Sequence, residues 1–401
     1  MIALVPKEKC SGCSACLNAC KTGALSMEPD ETGFWFPVIA QEKCVECGAC
    51  ARACPALEKP AYQSEAPKAY IVQNKEEEIR RQSSSGGAFT ALAKAVIEKG
   101  GAVFGAAIDK DGRVSHVCAD RESDLARFRG SKYVQSWIGL TYREAEKLLQ
   151  AGRPVCFSGT PCQIYGLKRY LGREYENLFT VDLVCKSAPS PKVFQKYLAY
   201  QKEKYPTFDR IFFRDKSRGY FYSCMALCQG EKVLYRGSSE SDPWYRLFLG
   251  GFCNRELCYG CPYQTGTRAS DITIWDCWDV QNYAPEWNDN KGTTAMAVWT
   301  KKGGELVASS VGYMRYKEIP LDSVKDKLNR KPLGRAKTDM KTLYQDCDSL
   351  TPKQFVKKYT PINFSVRLKR GARRALHLLH IHNFIRKLVH WGRRRRGNGG
   401  T

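Results

Sequence analysis

The sequence predicts a mixed α/β (α+β) fold in three parts: a small cysteine-rich module, a larger α/β domain and a basic helical tail. Three observations predict it. Eight of the nineteen cysteines fall in two evenly spaced runs within the first 54 residues. Apolar strand patterns then alternate with helix-start sequences as far as about residue 350. Finally, residues 361–401 hold eleven Lys or Arg and no Asp or Glu, about half of the net charge of +23. A chain of 401 residues suits two or three domains. Nothing approaches the roughly 18 consecutive apolar residues of a spanning helix. Met1-Ile2-Ala3-Leu4-Val5-Pro6 lacks the basic and apolar regions of a secretory signal. Cysteines in such a context point to thiolate metal ligands in a reducing cytoplasm rather than to a disulfide scaffold.

The first module spans 1–58. Cys10, Cys13, Cys16 and Cys20 are spaced C-x2-C-x2-C-x3-C, and Cys44, Cys47, Cys50 and Cys54 repeat the spacing 34 residues later, followed by Pro55. This is the run of bacterial two-cluster ferredoxins, in which the fourth cysteine of each run serves the other cluster. Two-residue gaps wrap three thiolates around one face of a cubane, and three more residues carry the fourth to the opposite side. One [4Fe–4S] cluster is therefore expected on Cys10, Cys13, Cys16 and Cys54, the other on Cys44, Cys47, Cys50 and Cys20. A pair of zinc knuckles is the competing assignment, but the segment contains no His. Lys21 stands where the first run usually has proline. The clusters move single electrons and need a client elsewhere in the chain.

Residues 59–68, rich in Pro, Ala and Lys, read as a linker to a domain over 69–350, with an N-terminal part to about 150 and a C-terminal part over 151–350. Ser83-Ser84-Ser85-Gly86-Gly87 precedes Phe89, Leu92, Ala93, Val96 and Ile97 at helical spacing. Such a loop offers N–H groups and a positive dipole end to a phosphate, or is simply a helix cap. Ala102 to Ile108 reads as a buried strand. Thr141 with Glu144 predicts a capping box for a helix closed by Gly152. Val155 to Ser158 predicts another strand, turned by Gly159-Thr160-Pro161 into a helix starting near Cys162. A thiol there is expected to be held below its ordinary pKa by the helix N-terminus. Phe179 to Val184 delivers Cys185 at a strand end, and Ser190-Pro191 caps the next helix. Strand C-terminal ends are where open α/β sheets place their sites. Cys258 and Cys261 form a C-x2-C pair ahead of Pro262. With Cys162 and Cys185 they make four thiolates, enough for one further [4Fe–4S] cluster; a redox dithiol or packed thiols is the alternative. Cys118, Cys156, Cys224, Cys228, Cys253, Cys277 and Cys347 read as small buried hydrophobes, with Cys253 the rival ligand.

Ser84-Ser85-Gly86-Gly87-Ala88-Phe89, Gly130-Ser131-Lys132-Tyr133-Val134-Gln135-Ser136, Phe157-Ser158-Gly159-Thr160-Pro161-Cys162-Gln163, Val181-Asp182-Leu183-Val184-Cys185, Cys258-Tyr259-Gly260-Cys261-Pro262 and Asp271-Ile272-Thr273-Ile274 occur in that order. Together they resemble the coenzyme F420 hydrogenase/dehydrogenase beta subunit family in its form with a fused N-terminal ferredoxin, over roughly residues 5–300. The resemblance implies FAD beside one [4Fe–4S] cluster. It puts the cluster on Cys162, Cys185, Cys258 and Cys261, and the FAD on Ser85, Gly86, Gly87, Ser131, Lys132, Tyr133 and Thr160. It implies hydride exchange with a deazaflavin (coenzyme F420) or reduction of an organic substrate. The chain departs from the family at Cys185-Lys186-Ser187, where Cys-His-Gly is common. It departs again at Trp275-Asp276-Cys277-Trp278-Asp279, where Gly-Asp-Phe-Trp-Gly is common.

A flavin takes two electrons as hydride and releases them singly, so the parts form one redox chain ending on an external carrier, a ferredoxin, a deazaflavin or a partner subunit. Lys132, Tyr133, Lys186 and Asp276 are the candidates for catalytic groups. Lys132 is read either as a charge beside the flavin or as a surface lysine, and Arg268 and Asp271 either as pocket groups or as a structural ion pair. The tail, 351–401, opens with Thr351-Pro352. Ala375, Leu378, Ile381, Ile385 and Leu388 form its apolar face, flanked by Arg373, Arg374, Arg386 and Lys387, with Trp391 and Arg393 to Arg396 at its end. That pattern suits peripheral contact with anionic lipid at the inner face of the cell membrane, or docking on the body. Nucleic acid has no recognition motif in its favour. Competing functions are a reductase of a cell-envelope, polysaccharide or isoprenoid substrate, and an electron-transfer subunit without flavin.

Overall fold

The computed structural model describes residues 4–58, 67–329 and 333–364, with 366–368, 371–372 and 375. In the cysteine-rich module each run leads into a short helix, α1 (Ala15–Ala19) and α2 (Ala49–Arg52). A left-handed residue precedes each, Ser14 at φ 60° and Gly48 at φ 73°, which turns the chain tightly around its first cysteines. Between them β1 (Leu25–Pro29) pairs antiparallel with β2 (Trp35–Ile39). Leu25 and Met27 bury inward against Cys50 beside Cys16, Cys20 and Trp35.

The next segments are β3 (Lys68–Asn74), α3 (Glu77–Gln82), α4 (Ala88–Glu98), β4 (Ala102–Ile108) and β5 (Val114–Ala119). They continue with α5 (Thr141–Gln150), β6 (Val155–Gly159), α6 (Pro161–Leu171), β7 (Leu178–Leu183) and α7 (Pro191–Lys202). Lys68, assigned to the linker by composition, already begins β3. A small antiparallel sheet follows, β8 (Arg210–Asp215), β9 (Cys224–Gln229) and β10 (Lys232–Gly237), then α8 (Pro243–Leu249). The chain continues through β11 (Ile272–Asp276), β12 (Thr294–Val298), α9 (Lys301–Ser309), β13 (Met314–Ile319), α10 (Lys325–Leu328), α11 (Met340–Ser349) and α12 (Pro352–Tyr359).

Eight strands form one mixed sheet in the order β13-β3-β12-β11-β7-β6-β4-β5. The β11-β7-β6-β4 stretch is parallel and carries near-continuous apolar runs, as a sheet covered on both faces requires. On one face Leu92 and Val96 of α4 and Leu306 of α9 pack on Val103, Cys156, Val181 and Ile272. On the other, Tyr142 and Leu149 of α5 and Ile164 and Leu167 of α6 cover Phe104, Val155 and Phe157, and Cys13 and Ala15 join this second core. A third core gathers α7, α8, α11 and α12 around the small sheet through Phe194, Trp244, Leu343 and Phe355.

Ser190 caps its helix as expected, accepting from the N–H of Val193, and Thr351 closes a box with Gln354; Thr160, read from the sequence only as part of a turn, closes a capping box with Gln163. The expected box at Thr141 does not form. Leu140 is the N-cap, and the Thr141 hydroxyl, one residue inside the helix, donates to the Ile138 carbonyl at 2.8 Å. Asp271 and Arg268 are structural. Asp271 Oδ2 accepts from the Thr180 amide at 2.7 Å and its hydroxyl at 2.6 Å, and Oδ1 accepts from Thr300 at 2.7 Å. Arg268 Nε lies 3.6 Å from Asp182 with both side chains 1% exposed.

Asp271 thus ties β7, the start of β11 and the cap of α9. Asp271→Ala strands two hydroxyls and one amide in a dry interior, each costing about 1–3 kcal/mol. We expect a loss of about 3 kcal/mol or more, read as a lower denaturation midpoint with an unchanged slope. A shift below about 0.5 kcal/mol would place the bonds elsewhere.

Candidate redox sites along one sheet edge

In the parallel stretch the C-terminal ends of β4, β6, β7 and β11 share one edge, where β3 also ends and β12 begins. Cys162, Cys185, the Ser/Gly loop and Asp276 lie along this edge or just beyond it.

Three sets of cysteines gather. Cys10, Cys13, Cys16 and Cys54 line a single cavity with Gly12, Met27 and Pro55. The thiol of Cys50 is pushed up by burial and by the neighbouring Cys20 and Cys44, while Cys47 is exposed. In the central domain burial pushes Cys185 well above the ordinary thiol range, and Cys258, Cys162 and Cys261 raise it further. Burial and the neighbouring Cys162 and Cys261 likewise raise Cys258 to about 12. The donor sets are all thiols, which suits iron–sulfur cubanes.

Two expectations about individual thiols are corrected. Cys162 does sit in the first turn of α6, but burial pushes it up to about 11. Loss of water there costs the thiolate more than the helix end and the Thr160 hydroxyl, 3.2 Å away, give it. Cys253 is no rival ligand: it is wholly buried in the third core, and the thiol that acts on it is Cys347.

The module docks so that its first cysteine set meets the central one. Cys13 packs against Gly166 of α6, where an added Cβ would fall 2.8 Å from its Sγ. Both Cys13 and Cys162 act electrostatically on Tyr142 and on Tyr263. Arg143 on α5 donates to the Asn18 carbonyl at 2.7 Å and also bonds the Leu17 and Cys20 carbonyls. Arg255 donates to the Cys10 carbonyl at 2.7 Å.

The Ser/Gly loop opens α4 as expected, with Gly87 at φ 81° as N-cap. The N–H of Gly86, however, is taken by Thr294 Oγ1 at 2.9 Å, and Ser85 Oγ donates to the Thr293 carbonyl at 2.6 Å. Ser131 joins through its amide and hydroxyl to Ser84 Oγ, at 2.6 and 2.9 Å. Cations converge on this loop. Lys132 Nζ donates to the carbonyls of Arg127 and Arg129, and Lys216 Nζ to those of Arg80, Ser85 and Lys291. Lys132 is half-buried and Lys216 buried, and desolvation takes each down to about 7. Arg129 Nε is buried without a hydrogen-bond partner. Half-buried and buried cations hydrogen-bonded only to neutral oxygens leave positive charge for an anion such as a pyrophosphate.

Of the catalytic candidates, Tyr133 packs its ring among Phe213, Tyr245 and Phe248. Asp276 is held by Arg214 at 2.6 and 2.7 Å and by the Tyr220 hydroxyl at 2.9 Å. Lys186 is half-buried between Cys185 and Ala188, and the Ala188 amide donates to Cys258 Sγ at 3.4 Å. Sequence reasoning missed Arg214, Lys216, Tyr220, Arg129, Gln135 and Arg255. Trp278, which the family pattern shares, stacks on Tyr220 at 4.4 Å with Arg214 over both rings, whereas the departures there are Trp275, Cys277 and Asp279. The tail's apolar positions from Leu378 onward, its arginine run and Trp391 lie outside the described residues. Among the described residues no helix is long and apolar enough to cross a membrane.

No curated protein matches the chain in sequence. A solved structure of the F420-reducing NiFe hydrogenase complex from Methanosarcina barkeri, a xenon derivative, contains a chain 16% identical to this one. It aligns with TM-score 0.44 over 77% of this chain and 97% of that one. Residues 9–57 match the 4Fe-4S dicluster domain. Residues 69–139 and 152–322 match the N-terminal and C-terminal parts of the coenzyme F420 hydrogenase/dehydrogenase beta subunit. These two matches together span more than half of the chain, which belongs to the coenzyme F420 hydrogenase/dehydrogenase beta subunit family and carries an iron–sulfur dicluster domain ahead of it.

Proposed function

We propose that this chain is an FAD- and iron–sulfur-dependent oxidoreductase joining a two-electron reaction to one-electron carriers. The observation that carries the reading is the band of cations beside the Ser/Gly loop, half-buried Arg129 and Lys132 and buried Lys216, which have no ion-pair partner among the described residues. Ser85, Gly86, Gly87, Ser131, Lys132, Tyr133 and Thr160 would hold FAD, and Cys162, Cys185, Cys258 and Cys261 a third [4Fe–4S] cluster. FAD supplies the change from hydride to single electrons that neither cluster nor organic substrate provides. Thr160 touches Cys162 at 3.2 Å, so the flavin and cluster sets meet there. Cys13 against Gly166 continues the line into the ferredoxin module. At its far end Cys47 is exposed and Val45 is 68% exposed, a place for an external carrier or partner subunit. Coenzyme F420 or a similar hydride carrier is the substrate class we favour.

Iron, sulfide and flavin content of protein purified without oxygen tests this. About twelve irons (three four-iron clusters) and one FAD per chain are expected, with reduced deazaflavin oxidised by the holoprotein. About eight irons without flavin would reduce the central domain to a binding module.

A further inference from the structure

Arg255 is 1% exposed, among the largest fully buried side chains in the molecule. Its guanidinium crosses the junction between the ferredoxin module and the central domain. Nε donates to the Cys10 carbonyl at 2.7 Å, NH2 to the Trp35 carbonyl at 3.0 Å and NH1 to Gln135 Oε1 at 3.2 Å. The rings of Phe36 and Phe34 lie beneath it at 4.3 and 5.3 Å. Its own backbone belongs to the other cysteine set. The Cys258 amide donates to the Arg255 carbonyl at 2.9 Å, and the Arg255 amide donates to the carbonyl of Ala188, whose own amide meets Cys258 Sγ. Gly12, between Cys10 and Cys13, is at φ 68° and has no room for a Cβ, which would fall 2.8 Å from Arg255 NH1.

Every hydrogen-bond partner of this cation is a neutral oxygen, and among the described residues no carboxylate pairs with it. A buried, unpaired guanidinium is costly unless a negative charge lies close by. A four-iron cluster bound by four thiolates carries net negative charge, and reduction adds one more. The two cysteine sets that Arg255 touches, through Cys10 and through Cys258, are the nearest such sources.

We propose that Arg255 is a positioning residue for electron transfer: its charge raises the reduction potentials of the two iron–sulfur centres on either side of the domain junction, Cys10/Cys13/Cys16/Cys54 and Cys162/Cys185/Cys258/Cys261. The proposal rests on the reading that the second set binds a cluster. Positive charge in a dry, low-dielectric junction favours the more negative, reduced state of both neighbours. The centre on Cys20, Cys44, Cys47 and Cys50 has no contact with this side chain and serves as the internal reference.

The test is a redox titration of the full chain, purified without oxygen and followed by electron paramagnetic resonance, comparing the unsubstituted protein with Arg255→Lys and Arg255→Gln. Iron is counted in each before titration. Arg255→Gln is expected to lower two of the three potentials, each by about tenfold in the reduced-to-oxidised ratio, or about 59 mV for one electron. The third stays put, and Arg255→Lys recovers most of the shift. With twelve irons retained, unmoved potentials, or equal shifts in the Lys and Gln variants, would overturn the proposal and leave Arg255 a docking group. Eight irons in the unsubstituted protein would instead remove the central cluster on which the proposal stands.

Discussion

Cys162→Ala is expected to lower the iron content from about twelve to about eight per chain, leave the signals of the ferredoxin module in place and stop it from being reduced through the flavin. The four central cysteines come from three separate places: the first turn of α6, the segment after β7 and the loop after α8. Losing one thiolate opens a corner of the cubane, and no other cysteine stands ready to fill it. Dithionite, which needs no internal route, should still reduce the two remaining clusters. That contrast separates a broken relay from a misfolded module. Cys253→Ala is the matched control. It lies five residues before Cys258 in the sequence, yet it is fully buried in the third core near Cys347. Its loss should cost roughly 1 kcal/mol of packing and no iron. Twelve irons in Cys162→Ala, or a loss of iron in Cys253→Ala, would refute the ligand assignment.

What the sequence revealed and what it hid divide along a physical line. Cluster ligation is local, because the turn that wraps a cubane demands fixed gaps. The two runs of a dicluster module could therefore be read directly, and the exchange of their fourth cysteines follows as an expectation. The cavity shared by Cys10, Cys13, Cys16 and Cys54 agrees with that exchange. Strands β4, β6 and β7 announced themselves as apolar runs because both sheet faces are covered. Caps at Ser190 and Thr351 were legible since a side chain three residues from its partner amide is a local event. Thr141 matched the same spacing and failed because the helix starts one residue earlier in register, on Leu140. The cations were invisible for the opposite reason. Lys216 reaches Arg80 and Ser85 across more than 130 residues, and Arg255 reaches Cys10 across 245. Their burial is created by domain packing, which leaves no periodic trace. The thiol of Cys162 shows the same limit: the dipole argument was local and correct in sign, but burial by distant residues outweighed it.

Lys132→Met is expected to weaken FAD binding about 10- to 100-fold at pH 6, the range for one charged hydrogen bond of about 1.5–3 kcal/mol. Lys216 spends all three N–H groups on carbonyls, whereas Lys132 spends two and keeps one. Lys132 is thus the expected direct donor in the proposed FAD site, and Lys216 holds the loop through Ser85. The same burial that lowers both groups to about 7 makes binding depend on pH. Below pH 7 both are ammonium and attract a pyrophosphate. Above it each must first regain a proton, so FAD affinity should fall between pH 7 and pH 9, with a shallower fall in Lys132→Met. Stability of the flavin-free protein should move the other way. Between the folded value near 7 and the unfolded value near 10.5 the unfolded chain binds more protons, so stability rises with pH across that window. Fluorescence titration of FAD at several pH values, paired with denaturation of the flavin-free protein, measures both slopes. Two slopes of the same sign would mean that the lysines answer to something other than a bound anion, and unchanged FAD affinity in Lys132→Met would reduce Lys132 to a staple of its own loop.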